Sequence, residues 1–370
     1  MPLFDSDLAS MSSAASELAK LADRLTPDII HADNFRGILF ASQLNSRNRY
    51  RVVSHIRDNR FFCSQRDQPT NIGGVVCKTC ELGCLEFLKS KQVESTKFFM
   101  ERDRQRRRQI LANSASVVVT SSYLKKQINS LDIGKPILIV PNPPDIMEHI
   151  DNFQVDIYQA NPPEILVVGM LNANKGQHRV VEWITRLRES IVDFRIVLAG
   201  RGRMMEKLRR EASKAGHSDY LVTPGFLGRA ELYRCYARSS VVLVPNTWPE
   251  PFGRVPLEAG LSRRPVVAYA LGGIRESVVD GKTGVLVEAL DEDALLRSTV
   301  DLVLNRQRAL QMGECARRHI VDNYSLQKTA DSLSAIWQAK HQTAKIETKQ
   351  TKLLHARSRS DGVSLGSATN

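Results

Sequence analysis

Between residues 165 and 287 the chain repeats one pattern: a short apolar run rich in Val, Ile and Leu, a loop bearing glycine, then a stretch with helical spacing. The runs are 165–168, 194–199, 221–223, 241–245, 265–269 and 284–287, and helices are expected over 176–190, 203–215, 230–237 and 255–261. A strand that is apolar at successive positions has no face to give to water, so it belongs in a sheet covered on both sides. Strand and helix taking turns make such a sheet parallel and doubly wound, an α/β fold. Sheets of this kind bind ligands beyond the carboxyl ends of their strands, where loops lead into helix N-termini. Most of the glycine-bearing loops fall there, at 169–176, 200–202, 224–228, 249–259 and 271–276, and together they can form one ligand-facing rim.

A second, looser block precedes this one. A helix over the first 26 residues (Leu8, Met11, Ala15, Leu18, Ala22 and Leu25 on one face) is stopped by Pro27. Strands are expected at 28–32, 51–55, 116–120 and 137–140, with a long basic helix over 89–112 and another starting at Ser121-Ser122. Proline clusters at 141–144 and 162–163 bracket a linker. The expected organisation is therefore a first α/β domain over 1–150, a linker over 151–164, a second α/β domain over 165–325, a closing helix over 326–340 that crosses back onto the first domain, and a mobile polar tail over 341–370. No internal repeat of 20 to 50 residues is visible.

Lys and Arg outnumber Asp and Glu by 52 to 40, a net charge of +12 that suits an anionic partner: a membrane face, a nucleic acid or a phosphorylated ligand. No run of 18 apolar residues is present, and the start lacks a basic region followed by an apolar core, so the expected compartment is the cytoplasm. No zinc-finger, RRM or helix-turn-helix pattern accompanies the charge, which argues against nucleic acid.

The segment that carries most chemistry is Pro249-Glu250-Pro251-Phe252-Gly253-Arg254-Val255-Pro256-Leu257-Glu258-Ala259. It follows a strand and enters a helix, so the N–H groups of Phe252, Gly253 and Arg254 are available to an anion or to hydroxyls. Glu250 in the loop and Glu258 one turn into the helix suit hydrogen bonds to sugar hydroxyls. Taken alone, the same pair reads as a helix-start acid and a surface helix acid.

Several spaced motifs in order settle the context. Gly169-Met170-Leu171-Asn172-Ala173-Asn174-Lys175-Gly176, Gly200-Arg201-Gly202, Pro224-Gly225-Phe226-Leu227-Gly228, the segment above and Leu271-Gly272-Gly273-Ile274-Arg275-Glu276 together resemble the nucleotide-sugar-binding domain of the retaining glycosyltransferases of family 4, the group 1 glycosyltransferases of GT-B fold. The resemblance spans about 165–337 and continues more loosely into 27–32, 53–55, 115–122 and 140–142. It implies two Rossmann-like doubly wound domains, the first incomplete at its start. It also implies transfer of a hexosyl or related sugar from a nucleotide-diphosphate donor to a glycan or lipid-linked acceptor, as in polysaccharide biosynthesis, with no cofactor required for catalysis.

Residue by residue, the resemblance implies that Glu250 contacts the donor sugar beside the backbone of Phe252 and Gly253. Glu258 would hold the ribose hydroxyls, Lys175 the diphosphate, and Phe226 the base. Gly176, Gly200, Arg201 and Arg254 stand in the donor-binding loops. His55, at a strand end in the first block, would reach the donor sugar across the cleft; without that context it reads as a packed strand-end histidine. No protein base is obligatory, because the departing phosphate oxygen can take the acceptor's proton.

Three departures stand out. Met170 occupies a position where the family uses Arg, which weakens a diphosphate clamp unless Arg201, Arg203 or Arg254 substitutes. The chain starts with a helix that family members reach only after several earlier elements. Arg263-Arg264 replace small residues, a change expected to lie on the surface. Met170 and the missing front favour an alternative, a non-catalytic nucleotide-sugar-binding relic or a subunit completed by a partner.

Other groupings are less directive. Cys63, Cys77, Cys80 and Cys84 have the number and chemistry of a structural zinc site, though a second CxxC is lacking and four reduced cysteines are the alternative. Asp291-Glu292-Asp293 mimics a metal-binding DxD but precedes a helix, and is read as an acidic helix start with no catalytic metal. The run from Arg102 to Arg108 is either a solvated helix face or a peripheral contact with anionic lipid on the inner membrane face.

Overall fold

A computed structural model describes residues 12–45, 49–63, 93–144 and 160–339. Two parallel sheets organise them. In the first lobe, helix α1 (Ser12–Leu25) leads to β1 (Ile29–Asp33), α2 (Asn34–Leu44), β2 (Arg51–Ile56), α3 (Val93–Ala112), β3 (Ser116–Val119), α4 (Ser122–Asn129) and β4 (Ile137–Ile139). The four strands lie side by side in chain order, with Val53 opposite His31 and Ser116. Helix α2 escaped the sequence reading. Its N-terminus follows strand β1 directly, with no Gly or Pro to mark the junction, and Asn34 makes the turn at a φ of 58°.

The second lobe runs β5 (Glu164–Val168), α5 (Val180–Leu187), β6 (Arg195–Ala199), α6 (Met205–Lys214), β7 (Leu221–Gly225), α7 (Arg229–Arg238), β8 (Val241–Val244), α8 (Arg254–Leu261), β9 (Val266–Tyr269), α9 (Ile274–Ser277), β10 (Gly284–Val287), α10 (Glu292–Leu304), α11 (Arg306–Asn323) and α12 (Leu326–Gln338). Its sheet order is β10-β9-β8-β5-β6-β7. The chain winds outward from β5 through β6 to β7, then returns to pair β8 with the other side of β5, so that Leu166 stands between Val197 and Val242. Both sheet faces are covered. Ile165, Val167, Leu198 and Leu243 pack with Trp183 on one side, and Leu166, Val197, Val242 and Val266 pack with Tyr236 on the other. That two-sided burial is why these strands lack polar alternation. Edge strand β7 does alternate.

The expected 176–190 helix begins late: single turns of 3-10 helix at Ala173–Lys175 and Gln177–Arg179 precede α5. Gly176 breaks the run. It sits at a φ of 73°, and a Cβ there would stand 2.0 Å from the Pro245 carbonyl oxygen. Glycine is thus used for close approach of two ligand-facing loops as much as for any ligand.

One expectation is corrected. Arg264 is not a surface variation but fully buried (0% exposed). Its Nε donates to the carbonyl of Tyr236 at 3.0 Å, and its Nη2 donates to that of Ala237. It ties the end of α7 to the strand that follows it. Arg263 is the surface member, paired with Glu314 at 2.9 Å. The linker around 145–159, Cys77, Cys80 and Cys84, and the tail from 340 onward lie outside the described residues.

Candidate functional site

Between β5 and β8 the chain's direction of winding reverses, and the loops that leave those two strands diverge. A cavity of about 620 Å³ opens there. Lys175 comes to it from the loop after β5, Arg201 from that after β6, Phe226 from that after β7, and Glu250, Arg254 and Glu258 from the segment after β8. The ammonium of Lys175 and, 75 residues or more further along the chain, the carboxylates of Glu250 and Glu258 therefore line one cavity. Phe252, Gly253 and Gly200 also line it, whereas Gly176 and His55 do not.

Each side chain is held. The carboxylate of Glu250 accepts from the Lys175 ammonium and, at 2.7 Å, from Asn246 Nδ2. The same ammonium lies 5.3 Å from the centre of the Trp248 ring. Glu258 is buried in α8 and accepts from the Tyr236 hydroxyl at 2.9 Å. Burial first, then the charge of Glu258, pushes the Tyr236 hydroxyl well above the ordinary tyrosine range, so it stays a donor. Phe252 packs its ring onto Tyr324, 5.5 Å between centres, in a small core cluster. Gly253, at a φ of 89°, precedes α8, whose first N–H groups have no intrahelical acceptors. Phe226 is 71% exposed, and its ring carries the Arg201 guanidinium 5.1 Å above its centre, a flat platform suited to stacking. Met170, the departure noted in the sequence, lies at the cavity, 67% exposed.

The first lobe supplies Arg57 and Asn142 to the same cavity. Arg57 was not singled out from sequence, and Asn142 only as part of the 140–142 stretch of the resemblance. Arg57 follows the β2 strand end by a single residue and pairs with Asp33 at 2.7 Å, and no motif announces it. Nor were Asn246 and Tyr236, whose roles depend on contacts across the fold. His55 is 1% exposed. Its Nδ1 lies 3.3 Å from His31 Nε2, one imidazole donating to the other. Burial, then the charges of Arg57 and His31, drives its pKa down to about 3, so the ring is neutral near pH 7.

The remaining groupings are placed as follows. Cys63 is half-buried after the turn at Asn59–Phe61, the rest of its cluster being outside the described residues. Asp291 caps α10 by accepting from the Ala294 N–H at 2.8 Å, and Glu292 binds Arg179, Arg186 and the Trp183 indole. The basic run is mixed: Arg107 is buried, Arg104 and Arg106 are half-buried, and Arg102 and Arg108 are exposed. Asp103 and Arg107 are buried as a pair 3.8 Å apart, while Arg104 and Arg108 hold the carbonyls of Ser130 and Asp132. No helix among the described residues is long and apolar enough to cross a membrane. Helix α12 forms where the closing helix was expected, and in its first turn Thr329 donates to the Pro141 carbonyl at 3.1 Å.

Residues 149–319 match the family described as glycosyl transferases group 1. A GDP-mannose-dependent alpha-(1-6)-phosphatidylinositol monomannoside mannosyltransferase of Mycolicibacterium smegmatis is 32% identical over 168 residues, 44% of this chain and 44% of that protein. The chain thus matches less than half the length of that relative. Among solved structures, sucrose-phosphate synthase from Thermosynechococcus elongatus superposes with a TM-score of 0.66 at 18% identity, covering 90% of this chain and 78% of that one. Anabaena Alr3699/HepE in complex with UDP-glucose gives 0.62 at 17%, covering 87% and 82%. The architecture is GT-B: two Rossmann-like lobes of parallel sheet with a cleft at the strand ends.

Proposed function

We propose, from the match of residues 149–319 to the group 1 glycosyl transferases, that this chain moves a hexosyl or related sugar from a nucleotide-diphosphate donor to a glycan or lipid-linked acceptor with retention of configuration. The observation that carries the reading is the convergence of Lys175, Glu250 and Glu258 on one cavity at the point where the strand order reverses.

The parts divide the donor between them. Glu258, kept in place by the Tyr236 hydroxyl, accepts from the ribose hydroxyls. Phe226 offers its face to the base. The N-terminus of α8, Lys175, Arg201 and Arg254 face the diphosphate. As the glycosidic bond breaks, negative charge grows on the leaving diphosphate, and donors already aimed at it stabilise the transition state more than the ground state. The departing phosphate oxygen takes the acceptor's proton. Glu250, fixed by Lys175 and Asn246, positions the sugar and balances positive charge developing at its anomeric carbon.

The relative from Mycolicibacterium smegmatis is named for a phosphatidylinositol monomannoside acceptor and GDP-mannose, which supports a lipid-linked acceptor reached at the cytoplasmic membrane face. The rival reading, a binding domain without turnover, draws on Met170 in the cavity wall. Incubation with UDP-glucose or GDP-mannose separates the two. Release of the nucleoside diphosphate that falls at least about a hundredfold in Glu250→Ala is the expected result. Binding of either nucleotide sugar with no release in the wild-type chain would establish the rival.

A further inference from the structure

Four hydrogen bonds join the lobes beside the cavity, two to the segment bearing Glu250 and two to Glu276. Asn59 Nδ2 donates to the Pro249 carbonyl at 3.1 Å, and Ser121 Oγ donates to the Pro251 carbonyl. The residues on either side of Glu250 are therefore both held from the first lobe. In the opposite direction, the Glu276 carboxylate accepts from the N–H groups of Ser122 at 2.8 Å and Tyr123 at 2.9 Å, one oxygen to each. Those are the first two residues of α4, whose own N-cap is Ser121, accepting from Leu124 N–H at 3.1 Å. The initial N–H groups of a helix have no partners within it, and the dipole there favours a negative charge. Helix α4 meets that need with a hydroxyl of its own and a carboxylate lent by the other lobe.

Glu276 is also rigidly tied to the Glu250 loop. Its carbonyl accepts from the Tyr324 hydroxyl at 2.6 Å, and the Tyr324 ring packs on Phe252. The Gly273 N–H donates to the Glu250 carbonyl at 2.7 Å. A Cβ at Gly272 would stand 2.3 Å from that same oxygen, so the two loops touch backbone to backbone. A displacement of α4 is thereby a displacement of the Glu250 loop.

We propose that Glu276 is a positioning residue: by capping α4 across the cleft, together with the bonds from Asn59 and Ser121, it sets the register of the Glu250 loop against the first lobe. This rests on the reading of the cavity as the donor site. Glu276 is not among the residues lining that cavity, so its loss leaves the donor's second-lobe contacts in place and disturbs how the lobes meet. Transfer needs both lobes in register, because reacting atoms displaced by a fraction of their contact distance lose much of their rate.

The test uses the full chain with Glu276→Ala, Glu276→Gln and Asn59→Ala. UDP binding is followed by calorimetry, turnover of UDP-glucose and GDP-mannose by product release, and lobe arrangement by small-angle X-ray scattering. In Glu276→Ala, UDP affinity is expected to stay within about threefold while kcat falls about tenfold or more and KM changes little. Its radius of gyration rises above that of the wild-type chain. Glu276→Gln keeps an oxygen acceptor for one N–H and falls between. If Glu276→Ala does not fold, Asn59→Ala shows the same split at smaller size. The proposal is overturned by a folded variant with unchanged kcat, by UDP affinity falling in parallel with kcat, or by scattering identical to wild type. If the wild-type chain turns over neither donor, the donor reading fails by itself, and the scattering comparison still decides the seam.

Discussion

The two lobes are assembled from the same unit, a parallel strand followed by a helix, and they differ in how strand order follows chain order. In the second lobe the order reverses between β5 and β8; in the first, the described strands β1 to β4 lie in sequence. Reversal sends the connections from two neighbouring strands to opposite sides and parts the loops between them, which is where the cavity opens. A sheet wound in one direction keeps its loops overlapping. It can present a wall, and the first lobe does so through Arg57 and Asn142. Among the described strands, the crevice thus opens at the reversal in the second lobe, and the first lobe faces it with Arg57 and Asn142.

The largest expected effect tests this division directly. Lys175→Ala removes the cation nearest Glu250 from the crevice lobe, and kcat/KM for the nucleotide sugar should fall by about a hundredfold to a thousandfold, the cost of one preorganised charge-stabilising donor. Arg57→Ala removes a cation from the wall; it is already paired with Asp33, and its loss should cost about tenfold or less. Steady-state kinetics of both variants measure the contrast. Equal losses would mean that the first lobe shares the diphosphate site and that the distinction between crevice and wall fails.

A smaller effect comes from the wall's interior. The folded-state pKa of His55 is depressed to about 3, and that of half-buried His31 is also lowered, burial being the first cause in each. The unfolded chain binds protons near pH 6.5 that the folded chain refuses, so stability is full above that pH and falls as pH drops toward 3. The slope for His55 approaches about 1.4 kcal/mol per pH unit. Thermal melts between pH 7 and 4 should show this fall, and His55→Asn should flatten it. A neutral His55 also predicts no inflection of kcat/KM near pH 6.5 from this ring. Such an inflection, abolished in His55→Asn, would make it an ionising member of the site.

What could be read from residues alone follows the same line. The crevice lobe was legible because continuous apolar strands and glycine loops are local signals, and because Glu250, Glu258 and Lys175 sit in motifs. Contributions that exist only through tertiary contact were not legible. Tyr236 looks like an amphipathic helix residue until its hydroxyl meets Glu258. Arg264 looks like a surface charge until the end of α7 is found folded over it. Asn59 and Ser121 bond to backbone carbonyls more than a hundred residues away, a partner class that leaves no trace in side-chain pattern. Helix α2 lacked the punctuation that marked its counterparts.

The smallest expected effect is also the most specific to the crevice. Tyr236→Phe keeps the ring that packs against Leu166 and Val242 and removes one hydroxyl, which donates to Glu258 at 2.9 Å inside the lobe. One hydrogen bond to a carboxylate is worth about 1.5–3 kcal/mol when one partner is removed. Part of that is recovered, because Glu258 also lies at the cavity and can turn toward it. UDP affinity, which depends on the ribose contact, should weaken by about threefold to tenfold, while kcat at saturating donor changes less than twofold, about 0.4 kcal/mol. Calorimetry with UDP and with free pyrophosphate distinguishes the cause. If Glu258 serves the ribose, pyrophosphate binds wild type and variant alike. If pyrophosphate weakens as much as UDP, the tyrosine supports the whole wall of the crevice, and the division of labour between Glu258 and Lys175 must be redrawn.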